Sequence, residues 1–304
     1  MKLIIQPDAG LVPIVAAIRK ARKTIDICIF RMDIEEVERA LTGAVQRGVR
    51  VRALIAHTNR GGESRLRKLE QRLLAAGVMV SRTADDLLRY HAKFMIADDV
   101  LHLFGFNFTK LDILKSRSFA VATRDRKAVA DAIKLFEADV ARQNYPGSKS
   151  HLVVSPESAR AALLAFVSGA RRELAIYDSK VHDPAFVKLL KERAAKGVRV
   201  RVIGGMKKAN GTIEVRPLKP LRLHVRAIVR DGTRAFVGSQ SLRVEELDSR
   251  REVGLLVNNP TVTRKLMQTF EDDWEHSAAK SDAAKASDDK DEKKAERKKE
   301  AAVA

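Results

Sequence analysis

The chain has 304 residues, 45% of them hydrophobic but only 5% aromatic, and a formal net charge of +19. That length can bury a large core in one domain or two, and the composition is that of a soluble globular protein. No apolar stretch approaches the roughly 18 residues that a spanning helix needs, no leader pattern opens the chain, and a single cysteine rules out an internal disulfide. A cytoplasmic protein is expected. From Ser277 onward eight Lys/Arg nearly cancel seven Asp/Glu, so the part before it carries about +18. That excess favours polyanionic partners: nucleic acid, anionic headgroups or phosphorylated metabolites.

In chain order, Pro7 fits the first position of an opening helix. Ile25 to Phe30 reads as a strand that buries the Cys28 thiol. Ile34 to Gln46 reads as a helix ended by Gly48, and Val49 to Ile55 as the next strand. A helical run from Ser64 to Ala76 precedes Tyr90-His91-Ala92-Lys93, which leads on to Asp98. The turn Gly105-Phe106-Asn107, the apolar strand Phe119-Ala120-Val121 and a helix from Arg126 to Arg142 follow. Asn144-Tyr145-Pro146-Gly147-Ser148 then punctuates the chain as a linker.

The series begins again beyond the linker. Pro156 opens a helix with Ser155 as its cap; Leu174 to Tyr177, Pro184 to Ala195 and Val198 to Ile203 repeat strand, helix and strand. After a Gly- and Pro-punctuated loop come Leu223-His224-Val225-Arg226, Asp231 and Gly238-Ser239-Gln240-Ser241. The strand Val253-Gly254-Leu255 and a helix from Pro260 to Trp274 close the series. A shift of 149 residues lays Gly48-Val49-Arg50-Val51-Arg52 on the identical Gly197-Val198-Arg199-Val200-Arg201. A shift of 134 then lays Asn107 on Ser241 and Arg117 on Arg251. The chain is an internal duplication, and alternating helices and strands make it a mixed α/β protein.

Each copy places a His two residues before a cation. On an extended chain residues i and i+2 share a face, so His91 and Lys93 project together, as do His224 and Arg226. An imidazole beside a fixed cation suits attack on a phosphodiester. The remaining histidines (His57, His102, His151, His182 and His276) share no ligand spacing, so no metal site is expected, and Gly204-Gly205 and Gly61-Gly62 read as turns.

With these residues in view, the chain up to about His276 resembles the phospholipase D superfamily, whose pattern H-x-K-x4-D-x6-G-S-x-N occurs twice. The resemblance implies two tandem lobes related by a pseudo-two-fold axis, each a mixed β-sheet flanked by helices on both faces. The lobes are expected at 1–146 and 147–276, with 277–304 a charged disordered tail. It further implies a metal- and cofactor-independent phosphodiesterase in which one His attacks phosphorus and the other protonates the leaving alcohol. His91 is expected as nucleophile and His224 as acid. Lys93, Arg226, Asn107, Ser239 and Ser241 would hold phosphate oxygens, and Asp98 and Asp231 would brace their own lobes. Glu252 is expected to orient a His, with His224 of its own copy the natural partner, or else to pair with Arg250 or Arg251.

The chain departs from the pattern at Arg226, which replaces Lys, and at Asn107, which comes one residue early. Ser241 replaces the second Asn, and Ser118 stands where Glu252 stands in the other copy, leaving His91 without an evident orienter. The substrate is expected to be phospholipid, handled by a peripheral enzyme with contact to anionic membrane. A nuclease of the same mechanism and a catalytically weak binding protein are the alternatives. Both segments before the His motifs are rich in cations: Arg60, Arg65, Arg67, Lys68, Arg72 and Arg82 in the first; Lys207, Lys208, Arg216, Lys219 and Arg222 in the second. They are expected to flank the cleft. One chain suffices for one site, so no dimer is required.

Overall fold

The computed structural model describes residues 1–59, 62–148, 150–209 and 211–277. The tail beyond Ser277 lies outside the described residues, as do Arg60 and Gly61. The first half runs β1 (Lys2–Gln6), α1 (Val12–Lys20), β2 (Thr24–Ile29), α2 (Glu35–Gln46), β3 (Arg50–Ile55), α3 (Ser64–Ala75) and β4 (Met79–Arg82). It continues with β5 (Arg89–Tyr90), β6 (Phe94–Ala97), β7 (Val100–Phe104), α4 (Lys110–Leu114), β8 (Ser116–Thr123) and α5 (Arg126–Ala141).

The second half repeats this order without a partner for α3. It comprises β9 (Leu152–Ser155), α6 (Ala159–Ser168), β10 (Glu173–Val181), α7 (Pro184–Ala195), β11 (Arg199–Met206) and β12 (Ile213–Arg216). Then come β13 (Arg222–Leu223), β14 (Arg226–Arg230), β15 (Arg234–Gly238), α8 (Val244–Asp248), β16 (Arg250–Val257) and α9 (Pro260–Glu275). Caps explain several helix starts: the carboxylates of Asp125 and Asp183 and the side-chain oxygen of Asn259 accept N–H bonds from the first turns of α5, α7 and α9.

Each half forms one mixed sheet. The first is ordered β1-β8-β7-β6-β2-β3-β4 and the second β12-β11-β10-β14-β15-β16, with β9 on the far side of β16. The two sheets exchange a short strand. β5 pairs with the start of β16 (Arg250 with Arg89, Arg251 with Tyr90), and β13 pairs with the start of β8 (Arg222 with Ser116, Leu223 with Arg117). Farther along, β8 and β16 pair with the first strand of their own half, β1 and β9. Each His motif thus leaves from the edge of the other half's sheet.

Three apolar cores follow from this arrangement. One lies outside each sheet, and a shared one between the sheets gathers Phe119, Phe136, Tyr177, Phe270 and Trp274. Two ion pairs tie the halves together at equivalent places. Arg117 Nε donates to Asp273 at 2.9 Å, and Arg251 Nε to Asp139 at 3.1 Å. Breaking one partner of such a pair costs about 3–5 kcal/mol, because the other charge stays buried.

Three sequence expectations need correction. Pro7 and Pro156 do not open helices: they lie in the turns after β1 and β9, and α1 and α6 begin only at Val12 and Ala159. The apolar runs Leu3-Ile4-Ile5 and Val153-Val154 complete the sheets first, and Ser155 is a buried strand end rather than a cap. Residues 213–216, read as loop, form β12 on the sheet edge, as 79–82 form β4.

Asp98 and Asp231 sit at φ 52° and 53° in the β6–β7 and β14–β15 turns, a left-handed conformation that Asp tolerates. The Asp98 carboxylate accepts N–H bonds from Arg22, Lys23 and Thr24 at 2.8–3.0 Å, and Asp231 does the same for Arg171, Arg172 and Glu173. Burial works to raise the Asp98 pKa, but the Thr24, Arg22 and Lys23 donors outweigh it and hold the carboxyl below its usual range. The stability it contributes is therefore present above the ordinary carboxylate pKa and lost as pH falls through the lower folded value. Asp98→Ala should cost about 2–3 kcal/mol, since it orphans three donors and strains the turn. Urea titration at pH 7 and at pH 3 checks this: the gap between wild type and variant should shrink in acid.

Candidate active site

The two His strands meet at the seam. His91 N donates to Arg251 O at 2.8 Å, extending β5 along β16, and His224 N donates to Arg117 O at 3.2 Å, extending β13 along β8. Ala92 and Val225 turn into the shared core, so His91 and Lys93, like His224 and Arg226, face the opposite way. Small residues allow this closeness. A β-carbon on Gly105 would stand 3.0 Å from Phe119 O and 3.2 Å from Gly238 O, so the two motif glycines abut across the seam.

The carboxylate partners are crossed between halves. His91 Nδ1 lies 2.9 and 2.8 Å from the two oxygens of Glu252, whose side chain is wholly buried. His224 Nδ1 lies 3.5 Å from Asp112 Oδ2, close enough for charge to act but short of an aligned hydrogen bond. Glu252 therefore serves the other copy's His, not His224. Arg250 and Arg251 do not claim it: Arg250 donates to Glu246, and Arg251 to Asp139 and Glu157. Ser118, the counterpart of Glu252, is too short to reach a ring and donates to His224 O at 3.2 Å.

Asp112 was not singled out in the sequence. It stands five residues after Asn107, as Glu246 stands five after Ser241, and each carboxylate accepts the backbone N–H of the residue five before it. That recurrence was the available signal. Asp112 also accepts from Asn107 Nδ2 at 2.7 Å and from Arg222 at 2.6 Å. Asn107 is thus fastened to the carboxylate behind His224. Ser241 gives its hydroxyl to the buried Asp178, and Ser239 exchanges hydrogen bonds with Val253 while helping to hold Glu252.

Lys93 is buried and donates to His91 O at 2.6 Å, beneath the face of Phe30. The Phe30 ring meets that of His91 edge-on, 4.4 Å between centroids. Arg226 makes no ion pair among the described residues, and its buried Nε has no partner.

Burial first, then the neighbouring Lys93 and Arg226, pushes the His91 imidazolium well below its ordinary pKa. Burial does the same to His224, with Asp112 opposing and Arg226 and Lys93 adding to it. Each ring thus feels the cations of both halves, as it must if the two share one site. Burial raises the Glu252 carboxyl to about 7 against the pull of Lys93, and lowers the Lys93 ammonium to about 7. Asp112 is held below the usual range: burial would raise it, but His224, Asn107 and Arg222 prevail.

The flanking cations are mostly engaged elsewhere. Arg67 and Arg82 pair with Glu70, and Arg72 with Glu38; Arg216 lies over Trp274, and Arg222 holds Asp112. Arg65, Lys68, Lys207, Lys208 and Lys219 are exposed. Among the described residues no three His, Cys, Asp or Glu side chains gather as a metal site requires, and no helix is long and apolar enough to cross a membrane.

Comparison with known proteins gives one family. The model described as "Cardiolipin synthase, PLD-like domain" matches residues 14–140 and 163–274. No curated protein matches the chain. Among solved structures, polyphosphate kinase from Porphyromonas gingivalis superposes with a TM-score of 0.73 at 20% identity, over 89% of this chain. This chain spans only 49% of that kinase. Phosphatidylserine synthase from Haemophilus influenzae superposes with a TM-score of 0.70 at 12% identity, over 91% of this chain and 87% of its own. At these identities the likeness is one of fold.

Proposed function

The chain belongs to the phospholipase D superfamily, and from that premise we propose that it cleaves or transfers phosphodiesters, probing phosphorus with His91 and the leaving oxygen with His224. The observation that carries the reading is the crossed pairing of His91 with Glu252 and His224 with Asp112, which brings one imidazole from each half to the same cations. Glu252 takes the His91 Nδ1 proton in a hydrogen bond and leaves the Nε2 lone pair for attack.

His91 Nε2 forms a bond to phosphorus as the P–O bond to the leaving alcohol breaks, and His224 supplies the proton that alcohol needs. Asp112, kept anionic, supports that protonated ring, and the incoming phosphodiester adds a second negative charge that offsets Lys93 and Arg226. His224, now neutral, takes a proton from water or an acceptor alcohol, whose oxygen displaces His91 from phosphorus. Lys93 and Arg226 stabilise the equatorial oxygens in both steps. Arg226 offers a forked guanidinium where the pattern has an ammonium, and it is free to bind two oxygens at once.

Phospholipid is the substrate class we assign, supported by the family's description and by the fold shared with phosphatidylserine synthase. A nuclease of the same chemistry is the second reading, supported by the net charge of +19. Incubation in EDTA with glycerol- and choline-headgroup lipids, and separately with single- and double-stranded DNA, decides between them. Acid-labile phosphate on the wild-type chain would carry the mechanism; its absence with every substrate that is turned over would sink it.

A pH profile follows from the two buried groups near 7. Glu252 must be ionised to hold His91, which favours higher pH, and Lys93 must be charged to hold phosphate, which favours lower pH. kcat/KM should therefore fall on both sides of its optimum, the acid limb as Glu252 gains a proton near 7 and the alkaline limb as the proton on His224 and the charge on Lys93 are lost. Lys93→Arg should extend the alkaline limb, because a guanidinium stays charged there. An unchanged alkaline limb in that variant would remove Lys93 from the explanation.

A further inference from the structure

Exposed large apolar side chains are few among the described residues, and four of them lie on the segments that build the site: Leu88 at 61%, Leu111 at 52%, Leu114 at 48% and Val244 at 47%. On α4, Asp112 turns inward to His224 while Leu111 and Leu114, three apart on one face, turn outward. On α8, Glu246 turns inward to Arg250 while Val244 is exposed, and Leu88 N is bonded to Ser249 O at the end of that helix. The two patches flank the seam at equivalent places, α4 with the β13 crossing and α8 with the β5 crossing.

Resting on the phospholipid reading above, we propose that Leu111, Leu114, Leu88 and Val244 form a membrane-docking face that seats the site on an anionic bilayer. The two patches stand at equivalent positions of the duplicated fold, one on α4 beside β13 and the other on α8 beside β5. Apolar tips beside basic groups are what contact with an anionic bilayer interface requires. Lys110 and Lys115 bracket α4, both exposed and without an ion pair among the described residues. Of the acidic groups nearby, Asp248 is paired with Arg160, Glu246 with Arg250 and Glu245 with Arg243, while Asp33, Asp85 and Asp86 are exposed, so the basic character is concentrated at Lys110 and Lys115 on α4. The exposed Lys110 and Lys115 beside Leu111 and Leu114 favour acidic over zwitterionic lipid at the α4 patch.

The test uses the full chain, vesicles of phosphatidylglycerol with phosphatidylcholine or of phosphatidylcholine alone, and a short-chain phospholipid below its micellar concentration. Leu111→Ser/Leu114→Ser should lower binding and turnover on anionic vesicles by about tenfold or more, with turnover of the monomeric lipid within about twofold of wild type. Lys110→Gln/Lys115→Gln should weaken binding to anionic vesicles only. Leu111→Trp keeps the apolar surface, and its emission should shift to the blue on adding anionic vesicles, against the constant background of the buried Trp274. No blue shift, or equal loss on monomeric and vesicular lipid, overturns the docking face while leaving the phospholipid reading intact. Failure to turn over the monomeric lipid at all would instead overturn that reading. Loss of single-stranded DNA binding in the leucine variant, with vesicle binding unchanged, would reassign the surface to nucleic acid.

Discussion

His91→Ala should abolish turnover of the phosphodiester, by about 10⁴-fold or more, and leave no acid-labile phosphate on the chain. His224→Ala should be nearly as slow with an alkoxide leaving group, yet behave differently in one respect. With a substrate whose leaving group departs without a proton, such as a nitrophenolate, His91 can still attack and the phosphohistidine should accumulate, because nothing activates the second nucleophile. Rapid-quench trapping with a labelled phosphodiester separates the two variants. Trapped phosphate on His91→Ala and none on His224→Ala would exchange the assigned roles. The geometry supports the assignment stated: the ring of His91 is held by both oxygens of a buried carboxylate, whereas that of His224 faces an anion held below its usual pKa and sits less firmly.

The second large effect concerns Glu252. Glu252→Gln should reduce kcat by about 10²-fold or more with little change in KM, because the side chain positions His91 without reaching substrate. Stability should move the other way. A carboxyl whose folded pKa is raised to about 7 binds more protons in the folded state, so its contribution is favourable below the ordinary value of 4.5 and is lost as pH rises through 7. At pH 8 the buried carboxylate is a net cost of up to about 3 kcal/mol, which the neutral amide avoids. Glu252→Gln should therefore melt higher than wild type at pH 8 while being far slower, and the gain should vanish near pH 4. A variant that is both slow and less stable at pH 8 would show that Glu252 mainly supports the core. Asp112→Asn should instead lose activity chiefly with poor leaving groups, since it weakens the support for a protonated His224.

Much of this molecule was legible from residue order. The identical pentapeptide at 48–52 and 197–201, the two His–cation pairs and the apolar runs gave the duplication, most elements and the motif strands, because periodicity and local chemistry are written along the chain. The crossed carboxylates were not. Glu252 was matched to His224 on the assumption that each copy completes its own site, and nothing local reveals that β5 and β13 leave one sheet for the edge of the other. Asp112 escaped for the same reason, its partner lying 112 residues away in the other half. β4 and β12 were missed because short edge strands with mixed polar faces carry little alternation. Pro7 and Pro156 misled because a proline at a turn and one at a helix start look alike until the preceding strand is recognised.

The exchanged strands also couple the seam between the halves to the two held histidines. Opening the two halves like a hinge would peel β5 from β16 and β13 from β8, and in the same movement pull His91 from Glu252 and His224 from Asp112. The pairing of each histidine with a carboxylate is therefore a property of the closed arrangement of the two halves. A ligand whose binding required the halves to part would meet neither histidine held by its carboxylate.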